Sequence, residues 1–123
     1  MKNKLIILSV FTVVFLGFAA ASSVAAQTDQ IVGGYGDLSV KSKDARQAAD
    51  LAVRTRSSKT GKTITLVKII KAEQQVVAGL NYRICMSVRE GHHKAYTVTA
   101  VVYQNLKNKR SLSKWKRGEC TDL

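Results

Sequence analysis

The sequence predicts an α+β domain, one N-terminal α-helix packed across an antiparallel β-sheet meander of four to five strands. Three observations predict it. An alanine-rich segment from Leu38 to Ser58 keeps helical spacing, and later runs alternate apolar and polar residues as strands do. Short turns containing Gly, Asn or Ser separate those runs, which suits a helix-on-sheet layer.

Before the domain, Met1 to about Ala26 has the layout of a secretory signal peptide. Lys2 and Lys4 give a basic start, Leu5 to Ala21 an apolar core, and Val24-Ala25-Ala26 a small-residue exit before Gln27. A membrane anchor is the alternative, but the apolar run is near the lower length limit for a span. The expected organisation is therefore residues 1–26 removed and residues 27–123 forming one small domain, secreted and extracellular. No second apolar run of spanning length follows.

In the mature part, Ile31-Val32-Gly33-Gly34 places two apolar residues before a flexible joint. It is either a frayed tail or first edge strand, or an apolar arm. In the helix, Ala45, Ala48, Ala49, Ala52 and Val53 form the expected buried stripe, with Ser39 or Ser42 as cap and Gly61 as stop. Such a small-residue face suits close packing onto a sheet.

The first strand run, Thr63 to Gln75, is apolar on both parities, with Val67 and Ile70 beside Ile64, Leu66 and Ile69, which suggests a bulge. The second run, Leu80 to Val88, alternates cleanly: Tyr82, Ile84, Met86 and Val88 on one face, Arg83, Cys85, Ser87 and Arg89 on the other. The third does too, with Tyr96, Val98, Ala100 and Val102 opposite Ala95, Thr97, Thr99 and Val101. Clean alternation implies one buried and one wet sheet face. After a turn at Gln104 to Asn108, a basic last strand spans Lys109 to about Lys116 and holds Leu112 and Trp115.

Between the first two runs lies Gln75-Val76-Val77-Ala78-Gly79. A hairpin tip made of Val, Val and Ala is unusual, because apolar groups at a tip are unfavourable in water unless something covers them. It is either buried on its own domain or shaped for a partner's cleft.

Gln75-Val76-Val77-Ala78-Gly79 resembles the Gln-x-Val-x-Gly hairpin of the cystatins, secreted inhibitors of papain-like cysteine proteases. Ile31-Val32-Gly33 resembles their N-terminal arm, and Ala49-Asp50-Leu51-Ala52-Val53 is similar to the patch on their helix, with Leu51 in place of an aromatic. The similarity runs in order over nearly all of the mature chain. It implies a cystatin-like fold and a wedge, formed by the arm (Ile31, Val32, Gly33, Gly34), the first hairpin (Gln75, Val76, Val77, Ala78, Gly79) and the second (Asn105, Leu106). That wedge would enter a protease cleft without a covalent bond. The implied partners are papain-like proteases of the cathepsin L and B type, met by a monomer or by a domain-swapped dimer hinged at Val76–Ala78.

Three departures bear on this. The second hairpin lacks the family's Pro-Trp, so an aromatic anchor is missing and weaker or narrower inhibition is expected. Cys120 resembles the last cysteine of the animal secreted branch, but Cys85 does not sit where its partner normally does. Two cysteines in an exported chain most often pair, with free thiols or an intermolecular bridge as alternatives. The loop Arg56-Ser57-Ser58-Lys59 has no Asn, so no inhibition of legumain-type proteases is expected.

Other function classes fit less well. His92 and His93 are adjacent in a turn, Cys85 has nothing to orient it as a nucleophile, and two histidines fall short of a zinc site. No catalysis, metal or cofactor is expected. The net charge of +12 and the segments Lys107-Asn108-Lys109-Arg110 and Lys114-Trp115-Lys116-Arg117 support a rival reading, a secreted binder of anionic surfaces or antimicrobial protein on the same scaffold.

Overall fold

The computed structural model describes residues 34–120. The order is β1 (Tyr35–Leu38), α1 (Lys43–Thr60), β2 (Ile64–Val77), β3 (Gly79–Glu90), β4 (Tyr96–Gln104) and β5 (Arg110–Arg117). All five strands form one antiparallel sheet in sequence order, so the expected meander has five strands and one helix across it.

The helix begins later than the sequence suggested. Leu38 pairs with Ala72 in β1 instead, and the Ser42 amide donates to the Ser39 carbonyl in the intervening turn. Ser42 is the cap: its Oγ accepts from the Ala45 amide at 3.1 Å, satisfying one of the helix's free donors. Gly61 ends the helix at φ 68°, ψ 9°, the left-handed turn that lacks a Cβ penalty.

The predicted stripe is the packed one. Ala45, Ala48, Ala49 and Ala52 are fully buried, with Val53 nearly so. They lie over Tyr82, Ile84, Met86 and Val88 of β3 and Val98, Ala100 and Val102 of β4, all within one core. Burying each of these large side chains stabilises by about 1.5–3 kcal/mol. Leu51, Leu112 and Trp115 pack at its margin, so Trp115 is a strand residue on the helix side.

The mixed parity of β2 comes from two bulges. Its register on β3 slips between Leu66 and Lys68 and again between Ile69 and Lys71, leaving Val67 and Ile70 as the extra, exposed residues.

The face away from the helix is less wet than expected. Glu73, Arg83, Cys85, Thr99 and Val101 are all buried there. Near β4 the Cys85–Cys120 disulfide, which spans Cα atoms 5.5 Å apart, draws the end of the chain back from β5 across β4 to β3. The Gly118 amide donates to Thr97 O at 2.9 Å along this path.

On the same face Arg83 Nε donates to Glu73 Oε2 at 2.6 Å and its guanidinium lies 3.9 Å from the centre of the Tyr35 ring. The Arg83 hydrogen bond, opposed by burial and helped by Lys71, holds the Glu73 carboxyl below its usual range. At the other end of the sheet Tyr96 is pushed up to about 12, first by burial and then by its hydrogen bond to Glu90.

Three variants test these interactions. Replacing both Cys85 and Cys120 with Ser releases a loop closed over 35 positions. The cost in urea unfolding should be about 3–4 kcal/mol, from the entropy the crosslink removes from the unfolded chain. Stability from Glu73 is present above the ordinary carboxyl value of 4.5 and is lost as pH falls through its lowered folded pKa. Glu73→Gln should therefore cost about 3 kcal/mol at neutral pH, by leaving Arg83 buried without its carboxylate, and the deficit should shrink in acid. Tyr96 has the opposite sign. Its contribution is intact below the ordinary tyrosine value of 10.0 and is lost as pH rises through about 12, so Tyr96→Phe should flatten that alkaline limb.

Candidate protease-binding edge

The first hairpin closes on one residue. Gln75 pairs with Asn81, Val76 with Leu80 and Val77 with Gly79, leaving Ala78 at the tip. Val76 is 55% exposed and Val77 39%, and Ala78 is exposed as well. The apolar tip is thus not folded under its own domain.

It is braced from behind. Gly79 sits at φ 110°, and a Cβ there would run into the Gln104 carbonyl and lie 3.2 Å from the Tyr103 ring. Only glycine lets β3 come this close to the end of β4 in that conformation. The Tyr103 hydroxyl then donates to Ala78 O at 2.6 Å, and Asn81 Nδ2 donates to Gln75 Oε1 at 2.9 Å.

The second hairpin lies at the same end of the sheet, since Leu80 pairs with Gln104. Without proline, it is set by Asn105, whose Oδ1 accepts from the Lys107 and Lys109 amides at 2.9 and 3.0 Å, and by Asn108 at φ 62°. Leu106 is left 81% exposed. Arg110 anchors the base of this loop to the helix. It donates to Gln104 Oε1 at 2.6 Å, to Gln47 Oε1 at 2.9 Å and to Asp44 Oδ1 at 2.7 Å.

The arm's attachment point is at this end too, because Tyr35 pairs with Gln75 and Gly34 directly precedes it. Ile31, Val32 and Gly33 lie outside the described residues. Of the expected site residues, the structure brings together Gly34, Gln75 to Gly79, Asn105 and Leu106.

This edge offers shape and apolar surface and no reactive group. Cys85 is bound in a disulfide and has no thiol to act as nucleophile, and His92 and His93 are exposed in the turn after β3, at the far end of the sheet. Among the described residues no group of three or more His, Cys, Asp or Glu is placed to hold a metal ion, and no helix is long and apolar enough to cross a membrane.

Comparison with known proteins bears on this edge. The model of the SQAPI family, described as aspartic acid proteinase inhibitor, matches residues 23–117. The chain belongs to that family of proteinase inhibitors. It is also related to the cystatins, as Gln75–Gly79 suggested. Cystatin-1 of Zea mays is 27% identical over 125 residues, covering 94% of this chain and 93% of that protein. L-cystatin of Tachypleus tridentatus is 40% identical over 57 residues, 45% of this chain and 43% of that protein. In structure, the salivary cystatin of the soft tick Ornithodoros moubata matches with TM-score 0.58 and 24% identity over 71% of this chain and 98% of its own. Al-CPI matches with TM-score 0.58 and 18% identity over 70% of this chain and 100% of its own. The fold is the cystatin fold.

The sequence did not point to Tyr103, and it offered Gln104 as a turn residue and Arg110 as part of a basic segment without their bracing roles. Alternation places Tyr103 on the face away from the helix, yet its reach to Ala78 depends on the β3–β4 register, which no local pattern encodes.

Tyr103→Phe should cost only about 0.5–1.5 kcal/mol of global stability while speeding amide exchange at residues 76–79. Gly79→Ala should cost about 1–3 kcal/mol in urea unfolding, from the strained φ and the collision with Gln104.

Proposed function

We propose that this chain is a reversible inhibitor of papain-like cysteine proteases of the cathepsin L and B type. It occludes the cleft with the arm Ile31, Val32, Gly33 and Gly34, the tip Gln75 to Gly79, and Asn105 with Leu106. The observation that carries this reading is the exposed Val76–Val77–Ala78 tip, held by Tyr103 and Gly79 against β4. A preformed edge loses little conformational freedom on binding, which favours affinity. The narrow side chains of Val76, Val77 and Ala78 suit a slot, and Ile31 and Val32 are apolar enough to fill the pockets ahead of the scissile bond. Gly33 then turns the arm away from the nucleophile.

Leu106 supplies apolar contact at the second hairpin but no aromatic anchor. Binding is accordingly weaker than a Pro-Trp hairpin would give, since such anchors are often worth about 2 kcal/mol or more. The protein is exported after cleavage before Gln27 and acts outside the cell as a monomer, with exchange at Val76–Ala78 as its route to a dimer. On a chain of net charge +12, weak attraction to anionic surfaces accompanies inhibition.

The family match over residues 23–117 favours a second reading, inhibition of aspartic proteinases. An apolar edge without the aromatic anchor is less tied to one protease class, so the two readings divide on the enzyme and not on the surface.

Titration of the mature protein against papain and pepsin separates them. The leading reading expects reversible loss of papain activity below about 1 μM inhibitor, with pepsin unaffected. Gly79→Glu should weaken papain inhibition about a hundredfold or more, because the added side chain disrupts the tip and buries charge at the contact. A flat papain titration with pepsin inhibited would replace the first reading by the second.

A further inference from the structure

From Asn105 to Arg117 the chain carries Lys107, Lys109, Arg110, Lys114, Lys116 and Arg117 and no acidic residue. Four acidic residues elsewhere are in ion pairs, and of the segment's cations only Arg110 takes part in one among the described residues. Asp44 pairs with Arg110, Asp50 with Arg46, Glu73 with Arg83 and Lys71, and Glu90 with Lys62. Arg117 stacks on Tyr96 with its guanidinium 4.0 Å from the ring centre. Lys107, Lys109, Lys114 and Lys116 are exposed, and none is in an ion pair among the described residues.

These four lysines lie along one outer edge of the sheet. β5 is the last strand in the sheet order, Lys114 opposes Val101, and Lys116 opposes Thr99. Both lysines therefore share the face away from the helix, about 7 Å apart at two-residue spacing. Lys107 and Lys109 continue the row into the second hairpin. Both ends are held: Arg110 is clamped to Asp44 and Gln47, and the disulfide at Cys120 fixes the chain just beyond Arg117. Ser113 Oγ donates to Val101 O at 3.0 Å and pins the one irregularity between. A row of like charges held in place is set up for a ligand that carries its own row of opposite charge, since little order remains to be imposed on binding.

We propose that the β5 edge binds a linear sulfated polysaccharide. This builds on the basic-surface part of the function proposed above and is independent of which protease is inhibited. Lysines supply point charges without the planar fork that selects phosphate geometry, so the row responds to charge density along a chain. A single-stranded nucleic acid would need exposed aromatic rings to stack its bases. Trp115 is half-buried on the opposite, helix-facing side, with Arg56 5.7 Å from its ring centre. A bilayer would need several apolar groups to insert along the row, and Leu106 at its hairpin end is the one large exposed apolar side chain beside it among the described residues.

The test is binding of the full mature protein to heparin, with anionic phosphatidylserine vesicles and a single-stranded oligonucleotide as the other arms. Lys114→Gln/Lys116→Gln should weaken heparin binding about tenfold at about 0.15 M salt and flatten its salt dependence, whereas the equally charged control Lys59→Gln/Lys94→Gln should lose less than about twofold. Unfolding midpoints of both variants, compared with the parent, confirm that neither has lost its fold. Equal weakening by both pairs, or tighter binding to vesicles or oligonucleotide than to heparin, overturns the β5 assignment while leaving a basic surface in place. A parent protein that binds none of the three removes the basic-surface reading itself.

Discussion

Alanine on the buried face of α1 is the constraint from which the rest of the structure follows. With Ala45, Ala48, Ala49 and Ala52 fully buried, the helix has no bulk of its own to hold it off the sheet. The volume between the layers is filled from the sheet side, by Tyr82, Ile84, Met86, Val88, Val98 and Val102. Each of these must fall on one parity of β3 and β4, because a one-residue slip would turn the whole set to the other face. The β3–β4 register is thereby fixed. That register in turn sets Gly79 against Gln104 and Tyr103 within reach of Ala78. Core packing on one face of the sheet thus sets the register on which the bracing of the apolar tip depends.

The second face shows how a small domain supplements such a core. Ninety-odd residues bury a limited fraction of their surface. Here the disulfide from Cys85 to Cys120 brings a further segment back past Thr97 to β3, and the Arg83 guanidinium of the Glu73–Arg83 pair lies against Tyr35. The attraction within the buried pair is largely offset by the cost of removing both charges from water, so its chief effect on stability appears when one partner is removed. Much of the remaining charge goes to the β5 edge. Exposed lysines on an edge strand also discourage pairing with another sheet, so the same residues that suit a polyanion keep the strand from templating aggregation.

The helix, its buried face, the strand order and the bulged β2 were legible in the sequence because each leaves a periodic trace. The alanine stripe repeats at helical spacing, β3 and β4 alternate, and β2 breaks its alternation where Val67 and Ile70 bulge out. The helix start was read too early because Leu38 is a tolerable helix residue, and its pairing with Ala72 is a long-range contact. Gln75 to Gly79 stood out because its apolar tip contradicts turn chemistry. What held that tip was hidden: Tyr103 and Arg110 act across strands and onto the helix, through partners set by register and not by neighbours in the chain. The dryness of the second face was likewise invisible until Cys85 and Cys120 were known to be joined.

The account's central claim is that Gly34, Val76 to Gly79 and Leu106 form a single preformed contact edge. Hydrogen exchange of the mature protein, free and in complex with papain blocked at its active-site cysteine, tests it most directly. New amide protection should be confined to the chain around residue 34, residues 76–79 and residues 105–107, with the core strands unchanged. Protection confined instead to the bulged outer edge of β2, or a complex that leaves residues 76–79 exchanging as in the free protein, would contradict it.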